Sequence, residues 1–231
     1  MLIGGFQKLT LLDYPDHLAA LVFTCGCNLR CPFCHNATLV KPNPSMIMVE
    51  PKDVLDYLRK RQGIPEGVVI SGGEPLMQHD LSSFLQSIKA LGYSVKLDTN
   101  GSFPDRLKEL IDEQLVDYVA VDIKQCKSHY GQAIGFDGAS ITDRIDETMV
   151  ILESSSIPHE YRTTIVNGIH TLDDIEQIIH WIPHDANYYL QSYVDSGSIL
   201  DPTGLSSLDS TTFHQWYDHI HAYRANTFYR L

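Results

Sequence analysis

The chain has 231 residues, of which 43% are hydrophobic and 20% charged, and its formal net charge is −12. This length and composition are typical of a folded globular protein, so we expect a single domain over residues 1–231. No apolar run approaches the roughly 20 residues of a membrane span, and the first ten residues lack the features of a secretion signal. The acidic charge disfavours nucleic acid as a partner. We therefore expect a cytoplasmic protein that binds neither membranes nor nucleic acid.

Strand and helix patterns alternate along the sequence. Six short apolar runs predict strands, at 18–24, 67–71, 93–98, 117–124, 159–166 and 187–194. Apolar residues at helical spacing predict helices after or between them, at 51–62, 80–92, 104–115, 141–152, 172–182 and 209–225. Asp80 is the expected N-cap of the second of these helices and Gly92 its expected stop.

Six strand–helix units predict an α/β protein with a parallel sheet and helices outside it. In 231 residues they fit an incomplete (β/α)6 TIM-like barrel, with a doubly wound open sheet as the alternative. Both folds place their chemistry at the carboxyl ends of the strands. The notable segments follow predicted strand ends, so we expect one shared site built from the cysteine loop at 25–36, "GGEP" at 72–75, "DTNG" at 98–101 and "DIK" at 122–124.

Four of the five cysteines lie in the stretch "TCGCNLRCPFCHN" at 24–36, namely Cys25, Cys27, Cys31 and Cys34. In a cytosolic protein such a cluster indicates metal binding or catalysis rather than disulfides. A structural zinc site normally uses two ligand pairs that are well separated in sequence, although a compact four-cysteine zinc site is an alternative. The spacing Cys27-x₃-Cys31-x₂-Cys34 supplies three thiolates, and these would leave one iron of a four-iron cluster open.

This spacing, with Phe33 just before the last cysteine, resembles the motif of the radical S-adenosylmethionine (SAM) superfamily. The resemblance implies a radical SAM type of fold and a [4Fe-4S] cluster on Cys27, Cys31 and Cys34. It also implies that SAM binds the open iron and that the Phe33 ring lies near the adenine. Cys25 lies outside the motif, and we interpret it as a buried residue, with a fourth ligand or a redox thiol as alternatives.

Further segments extend the resemblance to the SAM site. "SGGEP" alone would be a turn, but beside the cysteine motif it resembles the radical SAM segment that holds the SAM amino group, where glycines let the backbone approach a ligand. "DTNG", "DIK" and the arginine of "YRTTIV" resemble the glycyl-radical activating enzymes, such as the pyruvate formate-lyase activase. By position, the resemblance implies SAM-binding roles for Gly72, Gly73, Glu74, Asp98, Thr99, Asn100, Lys124 and Arg162.

The same resemblance implies several supporting residues. Asp98 and Asp122 would help to hold a monovalent cation. His35 and Asn36, directly after the cluster motif, would shape the site, with a purely structural histidine as the alternative. Gln191 stands where a histidine contact to the SAM ribose is expected, so that contact falls to Gln191 or is lost. Asp16 stands where we expect glycine.

The opening "GFQKLTLLDYPDHLAALVFTCGCNLRCPFCHN" is similar to one branch of the activases, the branch that acts on the anaerobic ribonucleoside-triphosphate reductase. The resemblance covers most of the chain and is strongest over 4–40 and 70–124. It implies that a flavodoxin or ferredoxin supplies one electron and that SAM is cleaved to methionine and a 5′-deoxyadenosyl radical. That radical would remove a hydrogen atom from a glycine of the partner enzyme.

Three other functions share parts of this pattern. A pyruvate formate-lyase-type activating enzyme would differ only in its partner. A radical SAM enzyme that acts on a small molecule would carry the same motifs. A zinc-binding interaction module is the non-enzymatic alternative, because clustered cysteines also bind zinc. We interpret Cys126, the one cysteine outside the cluster, as a buried or partly exposed residue rather than a ligand.

Overall fold

The computed structural model describes residues 1–43, 45–195 and 197–230. Its strands follow one another in a single sheet in chain order. They are β1 (Ile3–Thr10), β2 (Ala19–Thr24), β3 (Gly67–Gly72), β4 (Ser94–Thr99), β5 (Tyr118–Asp122), β6 (His159–Ile165), β7 (Asn187–Ser192) and β8 (Thr227–Arg230). The first pair, β1 and β2, is antiparallel. The pairings β2–β3, β3–β4, β6–β7 and β7–β8 are parallel.

The helices are α1 (Ala37–Val40), α2 (Pro51–Lys60), α3 (Leu81–Lys89), α4 (Pro104–Asp112), α5 (Tyr130–Ile134), α6 (Ala139–Ser154), α7 (Leu172–Trp181) and α8 (Ser210–Tyr223). Two short 3₁₀ turns lie at Pro75–Met77 and Lys127–His129. Across the described part of the chain, no helix is both long enough and apolar enough to span a bilayer.

The predicted alternation of strands and helices is confirmed. The six predicted strands are β2 to β7, and the six predicted helices are α2, α3, α4, α6, α7 and α8. A doubly wound sheet would reverse its strand order at a switch point, whereas these strands keep chain order, which is consistent with a partial TIM barrel. One boundary differs in a way that affects the site, because β5 ends at Asp122 and Lys124 lies beyond it.

Two smaller expectations concern single residues. Asp80 occupies the N-cap position of α3 as predicted, but its side chain makes no capping hydrogen bond. Asp16, which stands where we expect glycine, has a φ of +61°. Glycine adopts that left-handed region more readily than other residues. A backbone of this conformation would favour glycine, which is the residue expected at position 16.

The chain divides into two compact units. The first contains Met1–Asn28, Thr38–Thr99 and Phe103–Ala120. Its strand β3 is buried on both faces, and Val68, Val69 and Ile70 are fully inaccessible to solvent. Such continuous apolar runs are typical of parallel strands that are covered by helices.

The second unit contains Leu29–Ala37, Asn100–Ser102 and Val121–Leu231. Here α6 buries one stripe of apolar residues, including Ile145 and Leu152. The fully buried Glu160 of β6 forms a two-pronged ion pair with Arg230 of β8, with N–O distances of 3.1 and 3.0 Å. This pair helps to fix β8, since fork-like arginine–carboxylate pairs are directional as well as strong.

Candidate functional site

The first part of the cysteine loop belongs to the first unit. Cys25 is buried, with 1% of its surface exposed, and its sulfur lies 3.8 Å from the sulfur of Met48. Burial raises the pKa of the Cys25 thiol, which suits a packed residue better than a thiolate ligand. Cys27, by contrast, is only half-buried.

The "GGEP" segment is bound to the backbone of that loop. The amide of Gly73 donates to the carbonyl of Thr24 at 2.9 Å, and the amide of Glu74 donates to the carbonyl of Gly26 at 2.8 Å. A Cβ on Gly73 would lie 2.0 Å from the Gly26 oxygen. Close contact with the cysteine loop therefore requires glycine at position 73.

The carboxylate of Glu74 is completely buried and faces the end of β4. One of its oxygens accepts hydrogen bonds from the Thr99 hydroxyl at 2.8 Å and from the Leu76 amide at 3.1 Å. The structure thus brings together two residues that the sequence assigned to the same site from segments 25 positions apart. A buried carboxylate needs such donors, because desolvation is costly without them.

A buried lysine accompanies the predicted site residue Asp98. Lys96 is fully inaccessible to solvent, and its ammonium group forms an ion pair with the Asp98 carboxylate, which is 8% exposed. The same ammonium lies 5.9 Å from the centre of the Tyr118 ring. No sequence motif marks Lys96, although its spacing of two residues from Asp98 places both side chains on one face of β4.

The second part of the cysteine loop belongs to the second unit. Cys31 is buried and Cys34 half-buried, and the Cys34 amide donates to the Cys31 carbonyl at 3.1 Å, which closes a turn between them. Phe33 inside this turn is 4% exposed, and its ring packs edge-on against His170 with centroids 6.1 Å apart. Burial and the contact with His170 therefore restrict the orientation of the Phe33 ring.

Asp122, Lys124 and Arg162 form one charged group. The Arg162 Nε lies 2.9 Å from one oxygen of Asp122, and the Lys124 Nζ lies 3.2 Å from the other. Burial alone would raise the pKa of Asp122, but the charges of Arg162 and Lys124 hold it well below its ordinary value. Asp122 and Lys124 thus form an ion pair, and a second cationic side chain, Arg162 of β6, joins them.

The pKa of Lys124 is also affected by Cys31 and Cys34, which lie in the same unit. Burial alone would lower the pKa of Lys124, but the negative charges of Asp122 and of the Cys31 and Cys34 thiolates raise it above its ordinary value. The pKa shift of Lys124 therefore reports the closeness of its ammonium group to these anions, since opposite charges attract most where water is partly excluded.

The backbone of Lys124 is fixed by residues that the sequence analysis did not identify. His170 bonds to the Lys124 carbonyl through Nε2 at 2.9 Å, and its Nδ1 accepts from the Val166 amide at 3.1 Å. The Lys124 amide donates to the Tyr130 hydroxyl at 3.4 Å. Burial lowers the pKa of His170, so a neutral ring with its proton on Nε2 fits both contacts. No local motif marks these positions, because their role depends on distant elements.

The remaining predicted residues lie in the second unit with fewer distinguishing contacts. Asn100 is buried, and its side-chain oxygen accepts from the Ser102 amide at 3.0 Å, which closes a turn that leads into α4 rather than a hairpin. His35 is exposed and its ring lies 5.4 Å from that of Tyr193. Asn36 and Gln191 are half-buried. In the sheet, Gln191 of β7 is paired with Thr164 and Arg230.

Comparisons with known proteins agree on one family. A family model described as the radical SAM superfamily matches residues 21–182. A protein of Methanocaldococcus jannaschii, which carries the provisional name glycyl-radical enzyme activating enzyme, is 33% identical over 196 residues, or 83% of this chain and 80% of that protein. The pyruvate formate-lyase-activating enzyme of Listeria monocytogenes is 36% identical over 133 residues, or 53% of each chain.

Solved structures give the same result for the fold. A radical SAM methyltransferase from Sphaerobacter thermophilus superposes with a TM-score of 0.70 at 12% identity, covering 96% of this chain and 68% of the other. At this identity the likeness concerns the fold alone. It agrees with the single, mostly parallel sheet described above.

Proposed function

This chain belongs to the radical SAM superfamily, and we propose that it generates a glycyl radical on a partner enzyme, the anaerobic ribonucleoside-triphosphate reductase. It is a radical SAM enzyme, and its family implies a [4Fe-4S] cluster and SAM as cofactors. The observation that carries the activase function is the relative named for glycyl-radical enzyme activation, which is similar along 83% of this chain.

The donor set fits the cluster. Cys27, Cys31 and Cys34 supply three thiolates, the ligands that iron–sulfur clusters use, and three thiolates leave one iron for SAM. Lys124 is a suitable neighbour for an anionic cluster, because its pKa is raised by Asp122 and by the Cys31 and Cys34 thiolates once the opposing effect of burial is overcome. Cys25 supplies no ligand in this proposal, since its thiol is buried against Met48.

The resemblance assigns the following residues to SAM binding. In the first unit, Gly72, Gly73 and Glu74 would bind the amino group, with Glu74 oriented by Thr99. Asp98, Thr99 and Asn100 would line the site, and Lys124 and Arg162 would bind the carboxylate or ribose of SAM. Phe33 would contact the adenine, His35 and Asn36 would shape the site, and Gln191 would contact the ribose.

When bound, the reduced cluster and SAM supply the reductive cleavage that gives methionine and a 5′-deoxyadenosyl radical. The protein's own contribution is to orient the ligand and to exclude water, for which buried, fixed donors are well suited. A glycine Cα of the partner enzyme is the proposed hydrogen donor. A flavodoxin or ferredoxin is the proposed electron donor.

Two observations bear on the partner. The opening stretch up to Asn36 resembles the reductase-activating branch, which supports the reductase. Similarity to a pyruvate formate-lyase-activating enzyme, 36% identical over 133 residues, supports pyruvate formate-lyase as the second candidate. Both partners carry their radical on a glycine, so the chemistry at the cluster is the same.

The resemblance implies a monovalent cation near Asp98 and Asp122, but both carboxylates already have basic side chains beside them. Asp98 has the buried ammonium of Lys96 beside it, and Asp122 has Lys124 and Arg162. These basic side chains supply positive charge where a cation would otherwise be needed. Titration of SAM binding with potassium against a bulky organic cation tests the requirement directly.

The enzymatic function is tested by anaerobic reconstitution with iron and sulfide, followed by dithionite and SAM. We expect the wild type and Cys25→Ala to form 5′-deoxyadenosine and Cys27→Ala to form none. A fully reconstituted wild type that forms no 5′-deoxyadenosine would contradict the function. Loss of product in Cys25→Ala with normal iron content would contradict the three-cysteine assignment.

The partner is tested by electron paramagnetic resonance after activation of purified candidate enzymes. We expect a glycyl radical signal on the anaerobic reductase, and its loss when the target glycine is replaced by alanine. A signal only on pyruvate formate-lyase would select the second candidate. Cleavage of SAM with no radical on either protein would instead favour a small-molecule substrate.

A further inference from the structure

A second group of metal-binding side chains lies in the second unit, outside the residues assigned to the cluster and SAM. Cys126, His129 and Asp174 each place one donor atom within 4.8 Å of the other two. Cys126 and His129 are separated by two residues on the 3₁₀ turn Lys127–His129. The His129 amide donates to the Cys126 carbonyl at 3.2 Å, so this turn brings the sulfur and the imidazole to the same side.

Asp174 is held in place before any ion binds. It is the third residue of α7 and forms a capping box with Thr171. Its Oδ2 accepts from the Thr171 amide at 2.8 Å and from the Thr171 hydroxyl at 2.7 Å. These bonds direct Oδ1 towards the other two residues, at 2.7 Å from His129 Nδ1 and 3.3 Å from Cys126 Sγ.

These distances are close to the edges of a small tetrahedral site. Zinc binds nitrogen and oxygen at about 2.0–2.2 Å and sulfur at about 2.3 Å, so ligand atoms around it are roughly 3.2–3.7 Å apart. The carboxylate oxygen and the sulfur already have that separation, and the imidazole needs to withdraw by roughly half an ångström to match it. Imidazole, thiolate and carboxylate are also the ligand types that zinc uses.

The surroundings supply access and support. Asp174 is 2% exposed and Cys126 1% exposed, whereas the His129 side chain is 44% exposed, which leaves a solvent-facing side for entry and for a bound water. The Ser128 hydroxyl lies 3.2 Å from the Cys126 sulfur and 3.1 Å from the Gln177 side-chain oxygen. Lys127, which follows Cys126 in the chain, forms an ion pair with Asp146 at 2.6 Å and lies over the Trp181 ring.

We propose that Cys126, His129 and Asp174 bind one divalent transition-metal ion of the zinc type, with water as the fourth ligand. Without the ion, the thiol and the imidazole donate their hydrogens to Asp174. Binding requires the Cys126 thiol to release its proton to solvent and the imidazole to carry its proton on Nε2. The bound ion would link the turn at Lys127–His129 to the start of α7, because it takes ligands from both.

The site has a practical consequence for the enzyme. Zinc found in a purified sample would not by itself indicate a zinc-binding module in place of the iron–sulfur cluster, because the two metals would occupy different cysteines. The proposal does not rest on the activase function, since it concerns metal content alone.

The test uses the reconstituted holoenzyme, incubated anaerobically with one equivalent of zinc chloride, desalted and analysed for zinc and iron. We expect the wild type to retain about one zinc per chain in addition to its iron. Cys126→Ser and His129→Asn should each lower the zinc retained at least tenfold while the iron content stays the same. Cys25→Ser, which changes an equally buried cysteine, is the matched control and should retain zinc.

His129→Asn is the decisive variant, because its side chain is the most exposed of the three and its replacement does not disturb the core. A wild type that retains no more zinc than His129→Asn would overturn the proposal. Equal zinc in the wild type, Cys126→Ser and His129→Asn would overturn it as well. Zinc that is lost in Cys27→Ala but kept in His129→Asn would place the ion at the cluster cysteines and would also refute it.

Discussion

Two charged groups, one in each unit, differ in burial and in composition. In the first unit, one lysine and one aspartate form a closed pair, because Lys96 is fully inaccessible and Asp98 is 8% exposed. In the second unit, Asp122 is flanked by Lys124 and Arg162, and the Lys124 and Asp122 side chains are 22% and 28% exposed. The first group is largely shielded from water, whereas the second is partly exposed and has two basic side chains next to one carboxylate.

The difference indicates different roles. A balanced, desolvated pair stabilises the fold only while both partners remain, because removal of one leaves a buried charge. A partly exposed group with two cations can bind a further anion, such as the thiolates that already raise the pKa of Lys124 against the effect of burial. We therefore expect mutations in the first group to affect folding and mutations in the second to affect ligand binding.

The largest expected effect is on the closed pair. Lys96→Met should lower the free energy of unfolding by about 3–5 kcal/mol, because the buried Asp98 carboxylate would lose the charge of the Lys96 ammonium group. Urea denaturation of the metal-free protein measures this. If Lys96 also replaces a monovalent cation, Lys96→Met should gain stability from potassium that the wild type does not.

A matched control is the exposed pair of Lys108 and Asp112, whose side chains are 57% and 59% exposed. Lys108→Met should change stability by no more than about 0.5 kcal/mol, since exposed helical pairs contribute little. Similar losses in Lys96→Met and Lys108→Met would show that the buried pair has no special role.

The next effect is on ligand binding by the open group. Lys124→Met should weaken SAM binding about 10- to 100-fold, which corresponds to the roughly 1.5–3 kcal/mol of a hydrogen bond to a charged group. Its unfolding free energy should change by less than about 1 kcal/mol, because the side chain is partly exposed. Calorimetry of the reconstituted protein measures the affinity, and Lys127→Met, which removes a nearby lysine, should leave it unchanged. A loss of stability as large as that of Lys96→Met would contradict the assignment of separate roles.

A smaller effect concerns acid. The pKa of Asp122 is lowered in the folded protein from an ordinary value of 3.8 because Arg162 and Lys124 outweigh the effect of burial. The ionised carboxylate therefore stabilises the fold fully above about pH 4, and this contribution is lost as the pH falls through the lower, folded-state pKa. Asp122→Asn should flatten the fall in urea midpoint below about pH 4, where the unfolded chain binds a proton at this carboxyl and the folded protein does not. An unchanged slope in the variant would mean that other carboxylates control acid unfolding.

The smallest effect concerns salt. Screening acts over roughly 8–10 Å at moderate ionic strength and affects exposed charges more than buried ones. The coupling energy of Asp122 and Lys124, measured by a double-mutant cycle, should therefore decrease when salt is raised. That of Lys96 and Asp98 should stay constant within about 0.5 kcal/mol, the usual error of such cycles. Equal salt dependence would indicate that water reaches both groups.

Much of the fold follows from the sequence because six strands are short, apolar and bounded by glycine, proline or polar residues. The two strands that were missed lack those features. β1 contains two glycines and exposes Gln7 and Lys8, so it shows no clear alternation. β8 has four residues, of which Phe228 and Tyr229 are substantially exposed. Both are stabilised by pairing with a neighbour in the sheet, which no local pattern reports.

Candidate site residues can be named from the sequence where they belong to a motif, and they cannot be named where only packing defines them. Asp98, Asp122 and Lys124 were identified by resemblance and by their position near strand ends. Lys96 looks like a solvent-facing lysine in a strand, and only burial on both faces of β4 shows otherwise. His170 supports Lys124 from 46 residues away, a distance over which sequence patterns carry no information.

The contact between the "GGEP" segment and the cysteine loop also has a use in measurement. The amides of Gly73 and Glu74 donate to the carbonyls of Thr24 and Gly26, the residues that border Cys25 and precede Cys27. Exchange of these two amide hydrogens with deuterium requires the loop to open. Their exchange rates would therefore measure how often the cysteine loop opens. The measurement needs neither bound SAM nor the visible absorption of a cluster.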